Sequence, residues 1–517
     1  MITLRPLQAP QDQSAGTLAG PQPPWAKGWF WGVLALVVTI PFLVSSIPPL
    51  SDYPGHVSQF HIMLNLGRSP YLQKYYGFEW VFAGNLGVDL LVAIIGPLLG
   101  VEWGTWIIAT MTPALMVLGV FSISRALHGR VQPCAFLALP FVYAGAFTWG
   151  FLNYDLAVAL MFLMFALWIR SRNYSQSRFL IFASLSFCLW VCHAVGWGLF
   201  LLLVGGYELR RAIADRGWRL AAFSQTMLRI LPLFPPALLS ARMIHFSETP
   251  HPYTVVTPGL PSGLIAYKIF IFAGQIHDRV YALSVASILI IGGLYSFARY
   301  RGASVSPALA IPAAFVGLAA ILLPPVVSGS ALADYRVAPV AIMILLLSIR
   351  SDATSGGRFI VFSALALTGL RLTVTAFVWN EDAEAYRRHL FALESIPTGA
   401  RILVLVPSDV PGVTDFEARP MGHLADFAVV RRDALVNTQW VNTGAISLQI
   451  KANSNTAYYA DPSQNIAIDK VNQVLAATRA EQFDYAWVLG RYPAAPTPPN
   501  LIRAYADEET VLFQTVK

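Results

Sequence analysis

Long apolar runs separated by short basic loops set the pattern of this chain. The runs cover 30–47, 86–101, 103–124, 133–149, 154–169, 179–209, 227–246, 280–298, 307–327, 337–349 and 359–378. A membrane span takes about 20 apolar residues, so most of these read as transmembrane helices. Five arginine-bearing loops punctuate them: Arg125 with Arg130; Arg170, Arg172 and Arg178; Arg210, Arg211, Arg216 and Arg219; Arg299 with Arg301; and Arg350 with Arg358. Short basic loops stay on the cytoplasmic side. With all five there, the number of spans between consecutive loops is even. Only two of the three runs between Lys27 and Arg125 can then cross. The run 86–101 carries Asp89, Gly96 and Pro97 and is read as a re-entrant or interfacial helix. The same parity folds 179–209 into two spans around a tight turn at His193, Ala194, Val195 and Gly196.

The expected fold class is therefore an α-helical polytopic membrane protein of about eleven transmembrane helices with a C-terminal soluble α/β domain on the external side. Residues 1–28 form a polar cytoplasmic N-terminus rich in Pro, Gln and Gly, expected to be disordered, and 29–378 the membrane domain. A large first external loop, 48–102, interrupts the membrane domain after its first span. From Trp379 the composition turns soluble, with an expected helix over 381–395 and strands at 401–406, 483–489 and 510–514. Compact loops and the lack of eukaryotic targeting signals suit a bacterial inner membrane, with the 379–517 domain in the periplasm.

Composition narrows the function classes. The chain of 517 residues is 56% hydrophobic and 12% charged, about half the charge of a soluble domain. Its net charge of +7 lies mostly in the topology loops, which argues against nucleic-acid binding. The three cysteines, Cys134, Cys188 and Cys192, all fall in apolar runs and make no disulfide framework.

Candidate chemistry gathers on the external side. The stretch Pro48-Pro49-Leu50-Ser51-Asp52-Tyr53-Pro54-Gly55-His56 ends the first span and places Asp52 and His56 where the membrane meets water. The prolines stop one helix and fix an extended turn before the next. Asp52 is positioned to serve as a general base, or simply to cap the following helix. His56 could orient Asp52 or share a divalent cation with it, although two ligands are few for a metal site. Further site-lining candidates are His61 and Glu79 in the first loop, Asn153 and Asp155 after the third span, and His193 at the tight turn. Lys268 and Arg279 lie in the long external loop 247–279, with His251, His277 and Asp278. Asp334 and Arg336 precede the tenth span; the arginine's planar fork could hold a phosphate, or the two could form a plain ion pair.

Taken together, a first span followed at once by an acidic residue in a long external loop, an interfacial helix before the second span, the Ala333-Asp334-Tyr335-Arg336 loop before a late span, and an outward α/β tail resemble the GT-C superfamily of integral membrane glycosyltransferases. The aminoarabinose and protein-mannosyl transferases belong to it. Gly150-Phe151-Leu152-Asn153-Tyr154 is similar to a run in uncharacterised bacterial members. The resemblance implies a polyprenyl-phosphate-sugar donor entering from the lipid, transfer with inversion on the external face, and a lipid, glycan or protein acceptor. It assigns Asp52 to the first-loop catalytic acid and Arg336 to a donor-phosphate ligand. One departure stands out: many members carry a second acid beside the first, where this chain has Tyr53. A transporter or lipid flippase, and a non-catalytic scaffold of the same layout, are the competing classes. The first predicts ionisable groups near the bilayer midplane, but the spans are nearly free of them, with Arg229, Arg242 and Arg371 the main exceptions; the missing second acid favours the second.

Overall fold

The computed structural model describes residues 23–516 apart from 172–174, 245–260, 277–278, 326, 328–331, 352–354, 409–420, 441–446, 452–464, 491 and 493–495; side chains at 241–244, 261–262 and 355 are also outside the description. His251, His277, Asp278, the Arg242 side chain and residues 1–22 of the N-terminus therefore lie outside the described residues.

Four described helices are long and apolar enough to cross a membrane: Val101–His128, Leu152–Arg170, Tyr281–Tyr300 and Gly356–Ser395. They coincide with four of the expected spans. The other apolar helices are shorter, and the structure breaks several runs that the sequence reads as continuous. The run 30–47 becomes helices Gly28–Val37 and Ile40–Leu43, parted at Val38 and Thr39, with Pro41 inside the second. The run 133–149 is a 3₁₀ helix, Pro133–Tyr143, followed by the short helix Gly145–Trp149. Its residues are almost all buried, and Pro133 and Pro140 interrupt the amide ladder an α-helix would need. The run 227–246 divides into Leu220–Ile230, Leu231–Leu233 and Pro235–Ile244, with a proline inside or at the start of each of the last two.

Two further expected elements are present as helices. Residues 179–209 form helices Gln176–Cys192 and Ala194–Arg216, joined at His193. His193 caps the second by accepting the Val195 N–H at its Nδ1, 3.2 Å away. The run 86–101 forms a short helix, Gly87–Leu99, with Pro97 inside it and a buried Asp89 in its first turn. Gln59 and Asn153 each donate to that carboxylate, at 2.9 and 3.0 Å.

The membrane part and the tail are not separated at Trp379. One helix runs from Ser355 to Phe391, so the eleventh expected span and the first tail helix are a single element. No Gly or Pro lies between Gly369 and Pro397 to end it. The tail then forms a mixed sheet in the order Leu435–Val436, Arg401–Ser408, Tyr485–Leu489, Thr510–Thr515, Leu501–Ala506. Arg401–Ser408 pairs in parallel with Tyr485–Leu489, Leu435–Val436 and Asn465–Ala467; Thr510–Thr515 pairs antiparallel with its two neighbours. All three strands expected from the sequence are present.

The tail is sewn to the first loop. Loop strand Tyr76–Phe78 pairs antiparallel with tail strand Leu448–Ile450. Tyr75 and Tyr76 donate their hydroxyls to the Gly399 and Ala434 carbonyls, at 2.6 and 3.0 Å. His61 contacts Asp433 at 2.9 Å. The loop helix Tyr53–Asn65 thus lies between the membrane part and the tail.

Candidate active site between the first loop and the tail

Asp52 owes its position to a tight backbone contact. Its N–H donates to the Trp149 carbonyl at 2.9 Å, and the Ser51 N–H donates to Thr148 at 3.3 Å. Gly150 makes this approach feasible: its φ is +83°, and a Cβ there would sit 3.1 Å from the Asp52 nitrogen. The Pro48–Pro49 turn and the Trp149–Gly150 turn, distant in sequence, therefore fix Asp52 jointly. From Asp52 the chain enters the helix Tyr53–Asn65, with the His56 N–H donating to the Asp52 carbonyl at 3.0 Å. The Asp52 side chain makes no capping bond to that helix, so capping does not account for it.

Two cationic side chains, His423 and Arg336, act on Asp52. Burial lifts its carboxyl to about 6, against the opposite pull of His423 and Arg336. His56 is pushed down to about 3, by burial first and then by the charges of His423 and Arg336. It is a neutral imidazole at physiological pH. Arg336 comes from the first turn of Ala333–Leu347. It lies 3.5 Å from the centre of the Phe151 ring, a cation–π contact. Tyr154 fixes its backbone by donating to the Arg336 carbonyl at 2.5 Å.

Asp155 lies beside this arginine. Its Oδ2 is buried with no hydrogen-bond partner among the described residues. Asp155, Tyr154 and Arg336 line one internal cavity with Met116, Phe147 and Met343. The cavity has room for a water molecule.

The structure sorts the remaining candidates. His56 stays with Asp52 and Arg336. His193 packs edge-on against Tyr154, ring centres 5.4 Å apart, at the margin of the same cluster. Asn153 lies near it too, but its amide is occupied by the Val88 N–H, the Asn85 carbonyl and Asp89. Asp334 does not serve as Arg336's ion partner: Lys268 takes its carboxylate at 2.6 Å and Tyr267 donates to it at 2.9 Å. Lys268 also donates to the Ala320 and Leu323 carbonyls. Arg279 is paired with Asp382 at 2.6 Å. His61 is paired with Asp433. Glu79 is exposed on the seam with the tail, its N–H donating to the Ser447 carbonyl. Asp334, Lys268, Arg279 and His61 are thus held by structural partners away from Asp52.

The tail supplies groups that the sequence reading missed. Trp440 packs on His56, ring centres 5.1 Å apart, and on His423, 4.4 Å apart. Gly55 admits the indole, because a Cβ there would fall 2.6 Å from its ring atoms. Asp426, fully buried, contacts His423 at 3.3 Å. The available signal was the spacing His423-x-x-Asp426, which puts both side chains on one side of a helical turn. Among the described residues, no group of three or more His, Cys, Asp or Glu gathers at metal-ligand geometry.

No family model matches the chain, and no curated protein matches it. Two solved structures align with it: ArnT from Cupriavidus metallidurans bound to undecaprenyl phosphate, at 12% identity, and the same protein in the apo state, at 14%. Each alignment covers 95% of this chain and 98% of the other, with a TM-score of 0.48.

Proposed function

We propose that this chain is a membrane glycosyltransferase. It moves a sugar from a polyprenyl-phosphate donor to an acceptor on the external face, with inversion at the anomeric carbon. The observation that carries the reading is the convergence of Asp52 and Arg336, distant in sequence, on one turn: the Asp52 N–H donates to the Trp149 carbonyl beside Gly150, and Arg336 lies over the Phe151 ring at 3.5 Å. Asp52 is half-buried, with a carboxyl poised near neutral pH, as a general base needs to be. Arg336 carries a planar set of donors suited to a phosphate. The acceptor oxygen bonds to the anomeric carbon while the bond to the phosphate oxygen breaks. The departing electron pair stays on the phosphate, beside Arg336, and the acceptor proton passes to Asp52. No nucleotide site is needed, because a lipid phosphate leaves readily once cations offset its charge.

Under this reading the tail is periplasmic, Asp155 and His193 line the donor side, and the chain crosses a bacterial inner membrane about eleven times. The interruption of several apolar runs is compatible with this count where neighbouring helices bury the freed amides. The test is turnover of a radiolabelled polyprenyl-phosphate-sugar panel by the purified protein and by Asp52→Asn. A fall of about a hundredfold or more in the variant supports Asp52 as base; equal turnover removes it from the mechanism. Repeating the assay after dialysis against EDTA asks whether a divalent cation at Asp52 and His56 takes part: loss of turnover restored by Mg²⁺ or Mn²⁺ would assign one.

A further inference from the structure

The transfer described above leaves a buried ionisable pair of the tail, next to the site, without a task. His423 Nδ1 lies 2.9 Å from the Thr438 carbonyl and 3.3 Å from Asp426 Oδ2. A carbonyl only accepts, so Nδ1 carries a hydrogen and donates it. Asp426 is in turn held by the Thr438 hydroxyl, which donates to its other oxygen. The Thr438 carbonyl fixes the tautomer, leaving the second nitrogen to act, and the buried Asp426 carboxylate beside the ring favours its charged form. Nε2 of His423 has no hydrogen-bond partner among the described residues, although the residue is only 5% exposed. The ring packs on Trp440, which packs on His56, one helical turn from Asp52.

Resting on the glycosyltransferase reading, we propose that the tail completes the donor site: His423, as imidazolium held by Asp426, donates its Nε2–H to the leaving phosphate, sharing with Arg336 the charge that develops there. The proton stays on His423 throughout. The bond between anomeric carbon and phosphate oxygen breaks with its electron pair remaining on oxygen, and that oxygen accepts the hydrogen bond. Loop, membrane and tail would then contribute one group each: the base Asp52 and the two cations Arg336 and His423.

The charged form of His423 is supported by its surroundings. Burial acts against the charge, but Asp426, Asp52 and the Thr438 carbonyl outweigh it and lift the imidazole above its ordinary range. The titratable groups acting on it are Asp426 from its own segment and Asp52 at the start of the loop helix. His56 of that helix faces it across Trp440, and its imidazole is pushed down by burial and by the charges of His423 and Arg336, while Arg336 also acts on Asp52. The sign follows directly. The phosphate contact is present while His423 is protonated and is lost as pH rises through its titration.

The test uses the full chain in lipid nanodiscs and undecaprenyl phosphate as probe, with affinity measured from pH 5.5 to 8.5. Wild type is expected to bind about tenfold more tightly than His423→Gln at the acid end, with the two curves converging at the alkaline end. Ionisation of the probe itself is common to both curves and cancels in their ratio. Asp426→Asn, which keeps the shape of the pair, should move the convergence to lower pH, and it serves as the readout if His423→Gln does not fold. Parallel curves with no difference between wild type and both variants would overturn the role of His423 while leaving the glycosyltransferase reading intact. A wild-type protein that binds no polyprenyl phosphate at any pH would sink that reading, and this inference with it.

Discussion

Asp52 is a carboxylate whose surroundings disagree about its charge. Burial favours the neutral acid; His423 and Arg336 favour the anion; the balance falls at about 6. A base with that value loses function as it is protonated. The kcat/KM for sugar transfer is expected to fall about tenfold per pH unit below about 6 and to be flat just above it, a limb read from a pH–rate profile. His56, held neutral down to about 3, adds no limb in that range. At Arg336 the relevant property is shape as well as charge. Arg336→Lys keeps the cation but loses the flat guanidinium that lies over Phe151. It should raise KM for the donor by about tenfold, in line with the loss of one charge-assisted hydrogen bond, while Asp52's own limb stays near its place. Unchanged donor KM would take Arg336 out of phosphate binding.

Among the elements, the Ala333–Leu347 helix shows how a cation is aimed. Its first turn is clamped from outside by Lys268 and Tyr267 on Asp334, and its Tyr335 ring sits where Gly145 has no side chain. Asp334 is fully buried, so removing its partner leaves an uncompensated charge. Lys268→Ala should cost about 3–5 kcal/mol, seen as a large fall in unfolding temperature in detergent, with turnover lost through stability. At this scale the limits of the sequence are also plain. Periodicity and arginine placement located the long helices, the break at His193 and the strands of the tail. They could not show that Pro133–Tyr143 winds as a 3₁₀ segment, because its apolar content is the same in either form and only packing around Pro133 and Pro140 distinguishes them. Asp52 was legible from its place beside three prolines. Lys268, Arg279 and His61 read as site-lining charges and Asp334 as a possible partner of Arg336, because the sequence does not reveal the partners each meets far along the chain. His423 and Asp426 went unread for the opposite reason: their importance comes from docking against the Tyr53–Asn65 helix, and nothing local marks that surface.

On the scale of the whole molecule, loop and tail behave as one body. The Tyr76–Phe78 strand, the two tyrosine hydroxyls and the His61–Asp433 contact tie them together, and Trp440 fills the gap left by Gly55. The tail also rises from the membrane part on the uninterrupted Ser355–Phe391 helix. At 1.5 Å per residue that helix is about 55 Å long, well beyond the roughly 30 Å of a bilayer's hydrocarbon core. A rod of that length acts as a gauge of its surroundings. In a thicker membrane it stands more upright, in a thinner one it leans, and either change shifts the height and angle at which the tail meets the lipid surface. Because His56, Trp440 and His423 ride together on that body, their register against Arg336 in the Ala333–Leu347 helix becomes sensitive to acyl-chain length. Reconstitution in phosphatidylcholines of 14 to 22 carbons should therefore give turnover with a maximum at an intermediate chain length, about threefold or more above the extremes for a shift of a few tenths of a kcal/mol per Å. The lipid that carries the substrate would then share control of the reaction with the lipid that merely surrounds it.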